Sequence, residues 1–342
     1  MTRQSLVFKA PYEIGIIEEK LPQPATGEVL IQTRFSAISH GTEMMIYRGL
    51  FPADTEADLT IPALRHPLQY PFKYGYAVVG EIIATGSGIS RDLIGQTVFC
   101  LHPHESCFSA DTDSVITVPA DINPREALFL ANMETAVNLL MDGRPVIGEK
   151  VAVFGQGVVG LLTTALLAQF PLAALLALDP YELRRDASQR AGAHLTLDPG
   201  LPEAAAQISA CFANDGLNGL ADLTYELSGN PDALNQAIAV TGFAGRIVVG
   251  SWYGSKPAAV DLGSRFHRRR LHLISSQVST LTPDLAARWT HKRRFDVAWD
   301  MIRRIRPARF ITRRVPFAQA PEAYQLIDKD PATDIQVVLE YA

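Results

Sequence analysis

The sequence of 342 residues predicts an α/β protein that contains a doubly wound parallel sheet and a second, β-rich region. Three observations support this fold class. Strand-like runs separated by Gly, Pro, Asp and Asn fill the first 125 residues. Beyond them, strands alternate with helices, which is the pattern of a parallel sheet. A glycine-rich turn, Gly155-Gln-Gly157-Val-Val-Gly160, joins one of those strands to the next helix.

The composition is that of a globular chain, with 47% apolar and 20% charged residues, and it excludes disordered and collagen-like classes. A net charge of −5 argues against a nucleic-acid partner. Three cysteines are typical of a reducing compartment. The start of the chain has no apolar run of signal-peptide length, and the apolar stretch 151–178 is interrupted by three glycines and Pro171. We therefore expect a cytoplasmic protein with no membrane partner.

Strands and helices are predicted in order along the chain. The first region carries strand-like runs at Ser5–Phe8, Glu28–Ser36, Val78–Thr85, Thr97–Leu101 and Ser114–Val118. After it, helices are predicted at Arg125–Met141, Val158–Gln169, Glu182–Ala191, Pro202–Phe212, Pro231–Val240 and Phe295–Ile305. The intervening strands are predicted at Lys150–Phe154, Ala174–Asp179, Asp222–Leu227, Gly245–Gly250 and, at the end, Ile335–Tyr341.

The glycine-rich turn has the spacing G-x-G-x-x-G that binds the pyrophosphate of a dinucleotide. Gly155 permits the tight turn, Gly157 lets the backbone approach the phosphates, and Gly160 lets helix and strand pack closely. The helix that follows offers unpaired N–H groups and a partial positive charge to the phosphates. We therefore predict cofactor contacts along the whole turn: Gly155, Gln156, Gly157, Val158, Val159 and Gly160.

Asp179 closes the next strand, 19 residues after Gly160. A carboxylate there can accept hydrogen bonds from the ribose hydroxyls and would repel a 2′-phosphate, so NAD is favoured over NADP. Arg184, which we include among the cofactor-binding residues, and Arg185 weaken that preference. Further contacts to the ribose and nicotinamide are expected in the turns that follow two later strands, at Ser228, Gly250, Ser251 and Trp252.

Several motifs resemble the medium-chain dehydrogenase/reductase superfamily over nearly the whole chain. They include Pro24–Ile31, Tyr74–Ile82, Asn132–Val137 and Gly245–Gly250. Ser39-His-Gly-Thr-Glu43, Lys73–Tyr76 and Val98–His104 resemble the subgroup of bacteriochlorophyllide hydroxyethyl dehydrogenases.

The resemblance implies a GroES-like catalytic domain, split between the two ends of the chain, around a Rossmann domain that also forms dimers. The implied boundaries are 1–125 for the first part of the catalytic domain, 126–276 for the NAD-binding domain and 277–342 for the return.

The sequence departs from that superfamily where zinc-dependent members bind their catalytic metal. Their Cys, their His and its supporting Glu correspond here to His40, Tyr76 and Ala77, and only Glu134 is unchanged. A catalytic zinc needs three Cys, His or carboxylate ligands, and a phenol is a poor ligand near neutral pH. The four cysteines of the structural zinc lobe are also missing. We therefore predict no metal site.

Without zinc, hydride transfer still needs a group that stabilises or protonates the developing alkoxide. By its position in the superfamily, Tyr76 would donate the proton and His40 would polarise the same oxygen or relay that proton. Thr42 matches a relaying hydroxyl, and Glu134 would keep His40 protonated. Each also has a structural interpretation: a packing aromatic for Tyr76, a loop cap for His40, a turn hydroxyl for Thr42 and a salt bridge for Glu134.

Three further features have open interpretations. His102, His104 and Cys107 have the spacing of a metal site but also that of a loop that borders a cleft. The Pro-rich segment Arg48–Tyr70 is expected to cover the substrate opening and to set specificity. Between Arg265 and Arg314 there are 14 Lys or Arg and 3 Asp. This basic region is either a solvated face or a rim that attracts an anionic substrate or the pyrophosphate.

We therefore expect an NAD(H)-dependent oxidoreductase that interconverts a secondary alcohol and a ketone, without catalytic zinc, on a bulky or anionic substrate. One alternative is a zinc-free quinone or enone reductase, although such enzymes usually prefer NADPH. The other is a dinucleotide-binding sensor that has lost catalysis.

Overall fold

The computed structural model describes residues 2–52, 61–213 and 219–342. It divides into two compact units, one formed by Met1–Ala131 with Arg306–Ala342 and the other by Asn132–Ile305. Residues 277–305 therefore cluster with the second unit, and the chain returns to the first unit at Arg306 rather than at residue 277. Residues 53–60, inside the segment expected to cover the substrate opening, lie outside the described residues.

The strands are β1 (Thr2–Ala10), β2 (Glu13–Lys20), β3 (Glu28–Ile38), β4 (Val78–Thr85), β5 (Thr97–Cys100), β6 (Cys107–Asp111), β7 (Val115–Thr117), β8 (Lys150–Phe154), β9 (Ala174–Leu178), β10 (Leu195–Leu197), β11 (Ala221–Glu226), β12 (Thr241–Val249), β13 (His272–Ser275), β14 (Ile311–Pro316) and β15 (Gln336–Glu340). The α-helices are α1 (Thr42–Tyr47), α2 (Pro124–Ala127), α3 (Leu130–Gly143), α4 (Val158–Leu167), α5 (Glu182–Ala191), α6 (Ala204–Phe212), α7 (Asp232–Val240), α8 (Pro283–Ala286), α9 (His291–Ile305) and α10 (Ala320–Lys329). Short 3-10 turns span Pro62–Leu64, Arg91–Leu93, Thr112–Ser114, Pro307–Phe310 and Phe317–Gln319, and a π-turn spans Leu262–Phe266.

The sheets of the first unit are antiparallel except where β14 pairs parallel to β15. Strands β1 and β2 form a two-stranded hairpin, and a seven-stranded sheet runs in the order β14-β15-β3-β4-β5-β7, with β6 also paired to β3. The C-terminal strand β15 lies antiparallel to β3, so the end of the chain completes a sheet begun near its start. One apolar core packs Leu6, Phe8 and Ile38 against Tyr324 of α10.

The second unit contains a six-stranded parallel sheet in the order β10-β9-β8-β11-β12-β13. Numbered from β8, this is the order 3-2-1-4-5-6 of a doubly wound nucleotide-binding sheet. Its central strands, such as β8 and β9, are buried along their whole length, which explains their unbroken apolar sequences. The strand order reverses between β8 and β11, where such sheets bind ligands.

Most of the predicted elements are present, and the exceptions have local causes. The predicted helix Arg125–Met141 is divided into α2 and α3, with a break at residues 128–129. The sequence analysis missed β2, β6, β10, β13, β14, α1, α8 and α10. Strand β14 lies at the edge of its sheet and exposes Thr312 and Arg314, so its apolar signal is weak. No helix of the described residues is both long enough and apolar enough to cross a bilayer.

Candidate functional site

The glycine-rich turn lies at the point where the parallel sheet reverses its strand order. Gly155 has a φ of +86°, and a Cβ atom on it would lie 2.5 Å from Cα of Ser228, which follows β11. A Cβ on Gly160 would lie 1.9 Å from the carbonyl oxygen of Gly155. Both glycines are therefore required by backbone contacts. Gly157 is different, because nothing lies within 4 Å of its Cβ position and it begins α4 without a side-chain cap.

The three residues that accompany these glycines have different environments. The side chain of Gln156 is fully buried. Its Oε1 accepts hydrogen bonds from Thr164 (2.9 Å) and Ser188 (3.0 Å). Gln156 can therefore contact a cofactor only through its backbone. Val158 and Val159 are half-buried in the first turn of α4. Their N–H groups belong to the four that a helix N-terminus leaves without intrahelical partners.

Asp179 connects the glycine-rich turn to the end of β9. Its Oδ2 accepts from the backbone N of Gln156 (2.7 Å) and its Oδ1 from the backbone N of Tyr181 (2.9 Å). Nη1 of Arg184 lies 3.9 Å from Oδ2, with the guanidinium over the Tyr181 ring. Burial raises the pKa of Asp179, and Arg184 and the two N–H donors oppose that shift. Each carboxylate oxygen keeps a second lone pair for a ribose hydroxyl.

A second buried carboxylate, Glu226, organises the loops that follow β11 and β12. Its Oε1 accepts from the backbone N of Ser228 at 2.8 Å and from the Ser228 hydroxyl, and its Oε2 accepts from the Tyr253 hydroxyl. Ser251 Oγ accepts from the backbone N of Gly229 at 2.9 Å. The sequence analysis named Ser228 and Ser251 but missed Glu226 and Tyr253. A carboxylate that ends a buried strand was the available signal.

Gly250 and Trp252 complete the predicted set in this unit. A Cβ on Gly250 would lie 2.7 Å from side-chain atoms of both Leu139 and Leu227, so a larger residue would not fit. Trp252 is 39% exposed, and its ring is available to a ligand. The turn, Asp179 and the loops after β11 and β12 thus lie in one unit at the carboxyl edge of one sheet. Free backbone N–H groups, open space at Gly157 and an acceptor carboxylate fit a dinucleotide.

In the other unit, Tyr76 forms a hydroxyl cluster with the loop that follows β3. Its phenol donates to Oγ of Ser39 at 2.8 Å, and Ser39 Oγ also accepts from the backbone N of Thr42 at 3.2 Å. Burial raises the pKa of Tyr76 to about 12, although its hydrogen bonds with Ser39 and Thr42 oppose the shift. The phenol is therefore protonated at neutral pH. His40 is half-buried in the same loop, with both ring nitrogens buried.

Glu134 has a structural partner that the sequence analysis did not foresee. Arg294 is only 1% exposed, and it contacts Oε1 of Glu134 through Nε at 2.9 Å and Nη2 at 2.8 Å. Arg294 also donates to Asn138 (2.7 Å) and to the carbonyl oxygens of Thr280 and Val278. These contacts connect α9 with α3 and with the segment before α9, and they explain why residues 277–305 belong to the second unit. The salt-bridge interpretation of Glu134 matches this geometry.

The two histidines of the His102–Cys107 segment do not form a metal site with Cys107. Nε2 of His102 contacts Oε2 of Glu105 at 2.9 Å, and its ring stacks on Phe108. His104 is fully buried, with Nε2 2.9 Å from Oε2 of Glu43 and Nδ1 2.7 Å from Oγ of Ser36. His104 is thus part of the interior of the first unit.

Two of the residues that the resemblance places at zinc-binding positions have other interactions in this structure. The Tyr76 phenol holds its proton, and the carboxylate of Glu134 faces a buried guanidinium. Within residues 2–52, 61–213 and 219–342, no three His, Cys, Asp or Glu side chains lie close enough together to hold a metal ion.

Comparison with known proteins identifies dehydrogenases along the whole chain, although no protein-family model matches it. It is 25% identical to D-guloside 3-dehydrogenase of Escherichia coli (strain K12) over an alignment of 351 positions, which covers 98% of this chain and 99% of the relative. It is 26% identical to L-threonine 3-dehydrogenase of Pyrococcus furiosus over 285 residues, 74% of this chain and 76% of the relative.

Among solved structures, a short chain alcohol dehydrogenase (rspB) from E. coli CFT073 in complex with NADH superposes with a TM-score of 0.79. It is 20% identical, and the match covers 99% of both chains. These comparisons confirm the predicted fold, a Rossmann domain with a GroES-like domain, and the predicted class of activity. The chain is an oxidoreductase of the dehydrogenase class, and it has the fold of these enzymes.

Proposed function

We propose that this protein interconverts a secondary alcohol and a ketone with NAD(H), using the Tyr76 and Ser39 hydroxyls instead of a metal. The part-buried hydrogen bond between these two hydroxyls is the observation that carries the proposal. Bound nicotinamide would accept or supply the hydride. The relatives whose names give a guloside and threonine as substrates, each at position 3, support a substrate with a secondary hydroxyl.

The geometry defines how this chain would handle the proton. The Tyr76 phenol donates to Ser39, so a lone pair of the phenol oxygen is directed away from Ser39. That lone pair can accept the proton of a substrate alcohol while the phenol's own proton passes to Ser39 and the hydroxyl proton of Ser39 leaves to solvent. In the reverse direction, Ser39 returns the proton to Tyr76, which protonates the alkoxide. Thr42 steadies both hydroxyls, and His40, in the same loop, would polarise the substrate oxygen.

Asp179 supports NAD as the cofactor rather than NADP. Its side chain is 3% exposed, and two backbone N–H groups and Arg184 surround it. These neighbours stabilise the negative charge of the carboxylate. A 2′-phosphate there would meet a carboxylate at close range, and like charges in a buried site repel strongly. Arg184 and Arg185 are engaged by Asp179 and its neighbours, because Nη1 of Arg185 donates to the carbonyl oxygens of Asp179 and Pro180.

A substrate panel tests the proposed reaction. With NAD⁺, we expect secondary alcohols, including polyols and hexosides, to be oxidised with formation of NADH, which is measured by its absorbance. Primary alcohols should produce little NADH. NADH should also raise the Tm more than NADPH does. A ligand that binds only the folded state stabilises that state, and a tighter ligand stabilises it more.

Two results would contradict this reading and identify the alternatives. Reduction of quinones or enones with NADPH, without alcohol oxidation, would indicate the zinc-free reductase. A Tm shift with NADH but no turnover on any substrate would indicate a dinucleotide sensor.

We propose that catalysis is independent of zinc, because the Tyr76 phenol keeps its proton and the Glu134 carboxylate is paired with Arg294. The purified, unchelated protein should contain far less than one zinc per subunit by elemental mass spectrometry. Treatment with 1,10-phenanthroline should leave its turnover unchanged. One zinc per subunit together with loss of turnover on chelation would restore Lewis-acid catalysis.

We propose that the protein is a homodimer formed through β13. This strand ends the parallel sheet and pairs only with β12 among the described strands, so its other edge offers free N–H and C=O groups. Leu273 on this strand is 42% exposed. All three cysteines are free, which agrees with a reducing compartment such as the cytoplasm.

The substitution Leu273→Lys should convert the dimer to a monomer, because it places a charge on the apolar part of that edge. Analytical ultracentrifugation measures the change. Ile147→Lys is the matched control, since Ile147 is 77% exposed in the same unit but lies away from β13. A wild-type chain that sediments as a monomer would contradict the proposal.

A further inference from the structure

A buried polar cluster adjoins the loop that carries Ser39, His40 and Thr42. Its centre is the pair Glu43 and His104, both with 0% exposure. Nε2 of His104 donates to Oε2 of Glu43 at 2.9 Å, because a carboxylate only accepts. The Tyr324 hydroxyl donates to the same oxygen. Nδ1 of His104 lies 2.7 Å from Oγ of Ser36.

This pair contacts both sides of the Tyr76–Ser39 hydrogen bond. On one side, the backbone N of Ser39 donates to Oε1 of Glu43 at 3.0 Å. On the other side, Gly75, which precedes Tyr76, has a φ of +140°. A Cβ on it would lie 2.9 Å from Cδ2 and 3.1 Å from the backbone N of His104. The backbone before Tyr76 therefore packs directly on His104, and the backbone of Ser39 is held by Glu43.

Such a cluster is a costly way to fill an interior. Removing a carboxylate from water carries a large penalty unless donors surround it, and apolar side chains of similar volume often give equal or greater stability. Glu43 is surrounded by three donors, and the neighbouring core is otherwise apolar. Glu43 lies beside the Tyr76 and Ser39 hydroxyls, where it can hold the Ser39 backbone by a hydrogen bond that an apolar side chain could not make.

We infer that Glu43 and His104 are positioning residues, which hold the Ser39 hydroxyl and the Tyr76 phenol at hydrogen-bond distance. They contact neither hydroxyl directly and act through the backbones of Ser39 and Gly75. The inference rests on the proposed function, because it gives Tyr76 the proton transfer. Small misplacements of a reacting group reduce rates strongly, by about 10²-fold for 1 Å.

The test is a double-mutant cycle of Glu43→Gln and Tyr76→Phe, measured with NAD⁺ and the best alcohol of the panel. Glu43→Gln should lower kcat by about 10- to 100-fold, with the KM and the Kd for NADH almost unchanged. In the Tyr76→Phe background it should lower kcat no further, because the phenol that it positions is already absent. Residues that act only through the fold would lower kcat by the same factor in both backgrounds.

Glu28→Gln is the matched control. Glu28 is a half-buried carboxylate of the same unit that accepts from the backbone N of Ala25 at 2.9 Å, and it lies at the opposite end of β3 from the Ser39 loop. It should change the Tm but not the kcat. If Glu43→Gln does not fold, Tyr324→Phe removes one donor to Glu43 and keeps the ring, and it should show a smaller loss with the same dependence on Tyr76.

The outcomes separate the two proposals. An unchanged kcat in Glu43→Gln, or equal losses in both backgrounds, would overturn the positioning role and leave the proposed function intact. Full activity of Tyr76→Phe would instead overturn the proton transfer by Tyr76, and the positioning role with it.

Discussion

The substitution Gly155→Ala should weaken NADH binding by at least about 100-fold, which corresponds to about 3 kcal/mol. An alanine there must adopt a φ of +86°, a conformation that costs a non-glycine residue on the order of 1–3 kcal/mol. Its Cβ must also avoid Cα of Ser228, only 2.5 Å away. Because that atom is backbone, the turn and the loop after β11 have to separate. Isothermal titration calorimetry with NADH measures the loss.

Gly148→Ala is the matched control for Gly155. Gly148 lies in the same unit with a φ of +82°, but nothing lies within 4 Å of its Cβ position. It should therefore show the strain alone, as a lower Tm with an unchanged Kd for NADH. Gly155→Ala with a wild-type Kd would show that this turn does not bind the cofactor.

The substitution Tyr76→Phe should lower kcat by about 10²- to 10⁴-fold, the range of general acid catalysis. The ring and its packing stay, so the fold and the Kd for NADH should not change. Because the pKa of Tyr76 is raised to about 12, the wild-type phenol stays protonated from about pH 6 to about pH 10. Its titration should therefore produce no limb of the pH–rate profile in that range. Steady-state kinetics across that pH range measures both effects.

Tyr225→Phe controls for the loss of a buried phenol. Tyr225 has 0% exposure, and its hydroxyl has no hydrogen-bond partner among the described residues. The Tyr225 hydroxyl belongs neither to the cluster around Tyr76 nor to the cluster around Glu43 and His104. Its removal should leave kcat unchanged. A Tyr76→Phe variant with full turnover would exclude Tyr76 from the proton transfer.

Local sequence patterns were sufficient for the nucleotide half of the protein. The alternation of strands and helices and the spacing of Gly155, Gly157 and Gly160 depend on neighbours within about 20 residues, and so does the position of Asp179. Backbone geometry explains why: a tight turn with positive φ and close helix packing admits only glycine. The predicted strand and helix around this turn differ from the structure by two residues at most.

The catalytic half could be predicted only in part, because its contacts join distant residues. The sequence analysis gave Ser39 no role, because its hydrogen-bond donor Tyr76 lies 37 positions away in the sequence. Glu43 meets Tyr324 across 281 positions, and Glu134 meets Arg294 across 160. A histidine that could bind a metal and one that pairs with a buried carboxylate look alike in sequence, and His104 is of the second kind.

The sequence by itself therefore determined the fold class and the dinucleotide turn. Each depends on a local pattern of glycine, apolar and polar residues. Only the tertiary structure decided that Glu134 pairs with Arg294, that His104 and Glu43 are buried together, and that Ser39 receives the phenol's hydrogen bond. Those pairings form when β15 and α10 return to β3 and when α9 packs near α3. The free energy of burying polar groups then selects the partners.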